Sequence, residues 1–132
     1  MPGAQWFPDA QLNFAENLLK KRGAADALVF WNEQGDRRRL SFDELHGAVA
    51  RMQHALKGAG VTAGDRIASI LPNIPEAAIA MLGTASLGAV WSSSSPDFGV
   101  QGVLDRFTQI APKVLFAVNG YVYNGKLIDT RD

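Results

Sequence analysis

The segment Gly120-Tyr-Val-Tyr-Asn-Gly125-Lys126 has the G-x4-G-K spacing of a phosphate-cradling loop. In such a loop, backbone N–H groups hold the phosphates, the lysine reaches them, and a following Ser or Thr binds magnesium. Here Leu127 replaces the hydroxyl residue. Tyr121, Val122 and Tyr123 alternate as a strand does, and no helix N-terminus follows Lys126 to face a phosphate. A β-hairpin turning at Asn124-Gly125 is the better reading. Gly58-Ala59-Gly60 with Gly64 resembles a nucleotide-binding glycine pattern, but its third glycine comes one position late and the segment leaves a helix instead of entering one. Helix termination followed by a turn is expected there.

His46 and His54 lie eight residues apart on one helix, whereas a metal-binding pair needs a spacing of four; both are read as surface histidines. Arg37-Arg38-Arg39 could meet a phosphate, but on a hairpin arm such a run reads as a solvated edge that discourages strand pairing. Ser92 to Ser95 could donate to a phosphate as well. They read instead as a loop whose hydroxyls serve backbone and water, extending to Pro96. There is no cysteine, which excludes disulfides, thiolate zinc sites and cysteine nucleophiles. No Ser-His-Asp spacing stands out, so spacing assigns no catalytic and no metal-ligating residue.

The elements that must position these side chains follow from periodicity and caps. Asn13 with Glu16 has a capping-box pattern and starts a helix running to about Arg22, stopped by Gly23. Ala27–Trp31 and Arg37–Leu40 read as a hairpin around Glu33-Gln34-Gly35-Asp36. Ser41-Phe-Asp-Glu44 is a second capping box, followed by Leu45, Val49, Met52 and Leu56 at helical spacing. Arg66–Leu71 reads as a strand. Pro75, tolerated in a first turn, opens a helix to Leu87. Ala89–Trp91 reads as a buried strand, and Gly99–Ile110 as a helix with Val100, Val103, Leu104 and Phe107 on one face. Lys113–Val118 is a strand, and Tyr121–Ile128 a hairpin. Strands separated by helices from Ser41 onward imply crossover units, hence an α/β fold with a mostly parallel sheet and small hairpins.

The chain has 132 residues, of which 47% are hydrophobic and 20% charged, a composition that folds. Thirteen basic residues balance thirteen acidic ones, so no net field draws the chain to nucleic acid or to an anionic membrane. Charge is unevenly placed. Ile67 to Pro96 carries only Glu76. A run that poor in charge belongs to elements covered on two sides, either at the centre of a sheet or against a larger body. Met1 to Trp6 lacks the basic and apolar regions of a signal peptide, and no apolar stretch reaches about 20 residues. A cytoplasmic protein without membrane partners is expected. Unsatisfied apolar faces would favour self-association.

Several phrases occur together. They are Trp6-Phe-Pro-Asp-Ala-Gln-Leu-Asn-Phe-Ala-Glu-Asn-Leu-Leu19, Gly64-Asp-Arg-Ile-Ala68, Leu71-Pro-Asn-Ile-Pro-Glu-Ala77 and Ala85-Ser-Leu-Gly-Ala-Val-Trp-Ser-Ser-Ser-Ser-Pro-Asp-Phe-Gly-Val100, with Lys113–Val118 and Tyr123–Lys126. Together they resemble the acyl-adenylate-forming (AMP-dependent synthetase and ligase) superfamily. The Trp91-to-Gly99 phrase is similar to the acetoacetyl-CoA synthetase branch in particular.

That resemblance implies that residues 1–132 form a single partial domain of the large N-terminal domain of an adenylate-forming enzyme. Residues 1–40 would be an N-terminal helix and hairpin, 41–118 the βα units, and 119–132 a terminal hairpin. It implies a parent ligase that uses ATP, Mg2+ and CoA to convert acetoacetate to acetoacetyl-CoA, releasing AMP and pyrophosphate. The phosphate loop, the adenine and ribose motifs and the mobile catalytic lysine of that superfamily have no counterpart in this chain, so the resemblance implies an inactive early slice. Lys126 aligns with an arginine that reaches the CoA 3′-phosphate in related enzymes. Tyr123 departs from a second such arginine, and Pro96-Asp97 departs from a glycine pair. Two other readings stay open: a self-standing α/β binding module without catalysis, and a small nucleotide-binding protein using Gly120 to Lys126.

Overall fold

The computed structural model describes residues 2–131; Met1 and Asp132, at the two ends of the expected domain, lie outside the described residues. The chain opens irregularly and enters helix α1, Phe14–Leu18. Asn13 caps it, its side-chain oxygen accepting the Glu16 N–H at 3.1 Å. The same amide donates to the carbonyl of Ala85 at 3.0 Å, which docks α1 on a distant helix. The helix is shorter than the expected run to Arg22. It stops once Ala15 and Leu19 are seated in the core, and Gly23 N–H goes instead to the Asp43 carboxylate at 3.0 Å.

Strands β1, Asp26–Trp31, and β2, Arg37–Ser41, form the antiparallel hairpin that the sequence predicts, with Trp31 opposite Arg37. Helix α2, Phe42–Gly58, follows at once. Its capping box is complete: Ser41 Oγ accepts the Glu44 N–H at 3.2 Å, and Glu44 Oε2 accepts the Ser41 N–H at 2.8 Å. At the far end, Gly60 N–H bonds to Lys57 O and Val61 N–H to Leu56 O, both at 2.9 Å, with Gly60 at φ 77°. This is the left-handed glycine stop expected of Gly58-Ala59-Gly60.

The remaining elements are β3 (Arg66–Ile70), α3 (Pro75–Ser86), β4 (Val90–Ser94), a 3-10 turn at Pro96–Phe98, α4 (Gly99–Ile110), β5 (Val114–Ala117), β6 (Gly120–Tyr123) and β7 (Lys126–Asp129). Strands β3, β4 and β5 make one parallel sheet in the order β4-β3-β5, and β6 and β7 a separate antiparallel hairpin. One expectation is corrected here. Ser92 to Ser94 are not loop but strand, paired in register with Ala68, Ser69 and Ile70. Pairing with a buried neighbour overrides the turn preference of serine.

The charge-poor stretch is buried at its centre. Ile67 and Ala68 are 0% exposed, and α3 buries Ile79, Ala80, Leu82, Gly83 and Thr84. A helix so apolar on most sides needs cover all round. On one face of the sheet, Ile67 packs with Leu56 and Val61, and Trp91, Val114 and Phe116 join them. Ala15, Leu40, Leu45, Val49, Ile79 and Leu82 form a second core between α1, the first hairpin, α2 and α3. Ile70 has the opposite parity to Ile67 and shares a hollow with Val100, Val103 and Leu104, so α4 lies on the other face.

That face is incompletely covered. Of the four residues expected to bury α4, only Phe107 is buried, while Val100 is 71% and Leu104 50% exposed. Val90 and Leu115 beneath are about half exposed as well.

Candidate functional site at the carboxyl edge of the parallel sheet

A chain that goes from β3 through α3 to β4, then back through α4 to β5 on the opposite side of β3, reverses its winding direction. In open α/β sheets, the crevice outside the strand C-termini at such a reversal is the usual ligand position. Here that place lies beyond Ile70 of β3 and Ala117 of β5. A crevice of about 320 Å³ opens there, lined by Trp31, Glu33, Pro72, Val118 and Tyr121 among others. A second hollow of about 310 Å³, between Ile70, Val103, Leu104 and Asp129, shares Tyr121 with it.

Tyr121 is held by the turn before α4. Its hydroxyl donates to Asp97 Oδ1 at 2.6 Å, and Ser95 Oγ donates to Asp97 Oδ2 at 2.8 Å. The Tyr121 hydroxyl, and secondarily Ser95, hold the Asp97 carboxyl below the usual carboxylate range. The same bond to Asp97 raises the Tyr121 phenol above its ordinary value. The pair thus stays a carboxylate and a neutral phenol. It ties β6 to the start of α4 and has no acid–base use near neutral pH.

The G-x4-G-K segment forms no phosphate loop. Gly120 to Tyr123 are β6, Asn124 and Gly125 turn at φ 49° and 71°, and Lys126 opens β7. A methyl group on Gly120 would sit 2.9 Å from the Ile128 carbonyl oxygen, so the glycine there serves close strand approach. The two turn amides do hold an anion, but it is the chain's own. Glu33 accepts the Asn124 N–H at 3.1 Å and the Gly125 N–H at 2.8 Å. The Lys126 side chain is exposed and makes no hydrogen bond or ion pair among the described residues.

The other candidates scatter. The three arginines are exposed on a hairpin edge, as expected, and each also has a partner. Arg37 stacks on Trp31 at 4.0 Å from the ring centre, Arg38 pairs with Glu76, and Arg39 pairs with Asp26. Glu76, the single charge of the apolar stretch, therefore serves the first hairpin. His54 is exposed, whereas His46 is half-buried in a cleft with Glu16, Arg22 and Gln53. Ser94 is buried, and Ser95 caps the 3-10 turn by accepting the Asp97 N–H at 3.3 Å. Among the described residues, no three His, Asp or Glu side chains come together to hold a metal ion. Sequence reasoning missed Glu33, Asp97 and Tyr121. The run Glu33-Gln-Gly-Asp36 signals a turn, but nothing in it signals a bond to residues more than ninety positions away.

Residues 14–131 match the family model described as AMP-binding enzyme. The chain is 57% identical over 129 residues, 98% of its length, to an acetoacetyl-coenzyme A synthetase of Rhizobium meliloti, covering 20% of that protein. It is 48% identical over 124 residues, 92% of its length, to the Gallus gallus acetoacetyl-CoA synthetase, covering 19% of it. It superposes on the solved acetoacetyl-CoA synthetase from Streptomyces lividans with a TM-score of 0.93 at 48% identity, over 99% of this chain and 21% of that one. The chain spans about a fifth of the length of the curated relatives it matches. Among the described residues, no helix is long and apolar enough to cross a membrane. With a family match that runs from Phe14 to Arg131, through both helical layers and the switch-point crevice, this chain belongs to the AMP-binding enzyme family.

Proposed function

We propose that this chain is the early part of an ATP-dependent acid–CoA ligase that acts on acetoacetate. The observation that carries the reading is the similarity to acetoacetyl-CoA synthetases along nearly the whole chain, 57% with the first of them. In the proposed reaction, the acetoacetate carboxylate attacks the α-phosphorus of ATP and breaks its bond to pyrophosphate. The CoA thiol then attacks the acyl carbon of the adenylate, and AMP leaves. Magnesium would neutralise phosphate charge in the first step. Among the described residues of this segment, no three His, Asp or Glu side chains come together to hold it.

What this segment supplies is scaffold and one charge. The β4-β3-β5 sheet places the switch-point crevice, and the β6–β7 hairpin presents Lys126. An exposed ammonium without an internal partner suits the CoA 3′-phosphate as a point charge. ATP and CoA are the proposed small-molecule partners, with neither nucleic acid nor membrane, and the cytoplasm the proposed location.

The test uses the full-length protein. Thioester formation from acetoacetate, ATP and CoA is expected, with AMP and pyrophosphate as products. The 132-residue chain alone is expected to show no acetoacetate-dependent pyrophosphate exchange. Lys126→Ala should raise the CoA KM by roughly two- to fivefold with kcat nearly unchanged, the signature of lost uniform binding through an exposed charge pair. Absence of acetoacetate-dependent thioester formation by the full-length protein would overturn the reading.

A further inference from the structure

The β6–β7 hairpin stands outside the parallel sheet, and an isolated two-stranded hairpin is only marginally stable in water. Tyr121 on Asp97 ties its base to the turn before α4, and Thr130 N–H closes that base on the Asn119 carbonyl at 3.2 Å. Its tip has another tether. In a two-residue turn with positive φ at both central positions, the two central N–H groups have no partner within the hairpin. Asn124 and Gly125 are such residues, and Glu33 takes both, one carboxylate oxygen to each.

Glu33 reaches across from a stiffened turn. Asn32 Oδ1 accepts the N–H groups of Gln34 and Asp36 at 3.1 and 2.8 Å, and Asn32 Nδ2 donates to Asp36 Oδ2 at 2.9 Å. Glu33 also lines the crevice at the sheet's carboxyl edge, together with Gly120, Tyr121 and Val122 of the second hairpin. One carboxylate therefore bridges the two hairpins beside that crevice, over more than ninety residues of sequence.

We infer that Glu33 is a positioning residue, one that holds the Asn124–Gly125 turn in place and so fixes where Lys126 stands. The inference rests on the proposed role of Lys126. Two donors facing two equivalent acceptor oxygens require a carboxylate. A glutamine of the same size would present one acceptor and one donor, leaving one turn amide opposite an NH₂ group.

The experiment compares Glu33→Gln, Glu33→Asp and Lys126→Ala. Glu33→Asp keeps the charge but is one methylene short. Amide exchange is read residue by residue in the 132-residue chain, and steady-state constants are read in the full-length protein. Both Glu33 variants should speed exchange at Asn124 and Gly125 by about tenfold or more, as loss of hydrogen bonds to a charged acceptor predicts. Exchange in β3 and β5 should stay unchanged. In the full-length protein, the CoA KM should rise by roughly two- to fivefold, with kcat and the ATP KM unmoved. Adding Glu33→Gln to Lys126→Ala should change the CoA KM no further. Unchanged exchange at the two turn amides overturns the inference. So does a CoA KM raised by Lys126→Ala but unmoved by Glu33→Gln, and that result leaves the Lys126 reading standing. A CoA KM unmoved in every variant removes the Lys126 reading and the positioning role with it, even if the turn amides exchange faster.

Discussion

Asp65 gathers three donors at the amino end of the sheet. Thr62 N–H and Thr62 Oγ1 reach its Oδ2 at 2.8 and 3.0 Å, and Lys113 Nζ reaches the same oxygen at 2.9 Å. The Gly64-Asp65-Arg66 turn is thereby closed on itself and locked to the start of β5. Lys113 also donates to the Gly60 carbonyl at 2.6 Å, adding the end of α2 to the clamp. The Lys113 hydrogen bond above all, then the Thr62 backbone bond, lowers the Asp65 carboxyl from 3.8 to about 2. A carboxyl depressed on folding adds stability that is fully present above its unfolded value and is lost as pH falls through the folded one. Asp65→Asn should therefore lower the thermal midpoint at pH 7. The gap from wild type should shrink as pH falls from 5 to 2, read by circular dichroism melts across that range. A gap independent of pH would show that the carboxylate charge has no part in the clamp.

Residue-level sequence reading succeeds here wherever a side chain serves its own neighbourhood. The Ser41–Glu44 box and the Asn13 cap both close within three residues and are readable from type and spacing. It fails for bonds that reach across the fold. Asn13 also donates across 72 positions to Ala85, and Glu33 reaches Asn124 across 91. No local pattern encodes a partner that only the folded chain brings near.

At the scale of elements, the contact that sets the helical layer is α2 against α3. Gly83 lies at this crossing and is buried. A methyl group built there would come within 2.6 Å of Met52 Cγ and 3.0 Å of Met52 Cβ. The Cβ atom is fixed to the α2 backbone, so rotamer change alone cannot relieve the contact. Gly83→Ala should therefore destabilise by about 1–3 kcal/mol, the usual cost of overpacking, although alanine is the better helix former. Urea unfolding checks this, and a stabilised variant would mean that α2 and α3 have room to separate. Element types were readable because caps, prolines and glycines punctuate this chain clearly. The boundaries that moved did so for tertiary reasons. The serine run joined β4 because β3 offers it a ladder, and α1 ended early because its apolar residues were already seated.

At the scale of the whole molecule, apolar surface is left open in several places. Trp6, Phe7, Leu12 and Phe14 near the start are each at least 60% exposed, and Val90, Val100, Leu104 and Leu115 are open around α4. Apolar surface of that extent favours association. Sedimentation velocity on the 132-residue chain should show weight-average mass rising with concentration. A single monomer boundary at all concentrations would show that these faces tolerate water.

The sequence by itself determined the order of helices and strands, the parallel character of the central sheet, the hairpin in place of a phosphate loop and the family resemblance. These follow from information within a few residues: period, caps, turn residues and contiguous phrases. The tertiary structure alone decided that β5 returns beside β3 on the side opposite β4, which places the switch-point crevice. It alone decided that Asp97 grips Tyr121, and that the anion held by the Asn124–Gly125 amides is Glu33. Those arrangements arise from closing long loops around shared cores, and their partners lie tens of residues apart, where composition and spacing carry no trace of them.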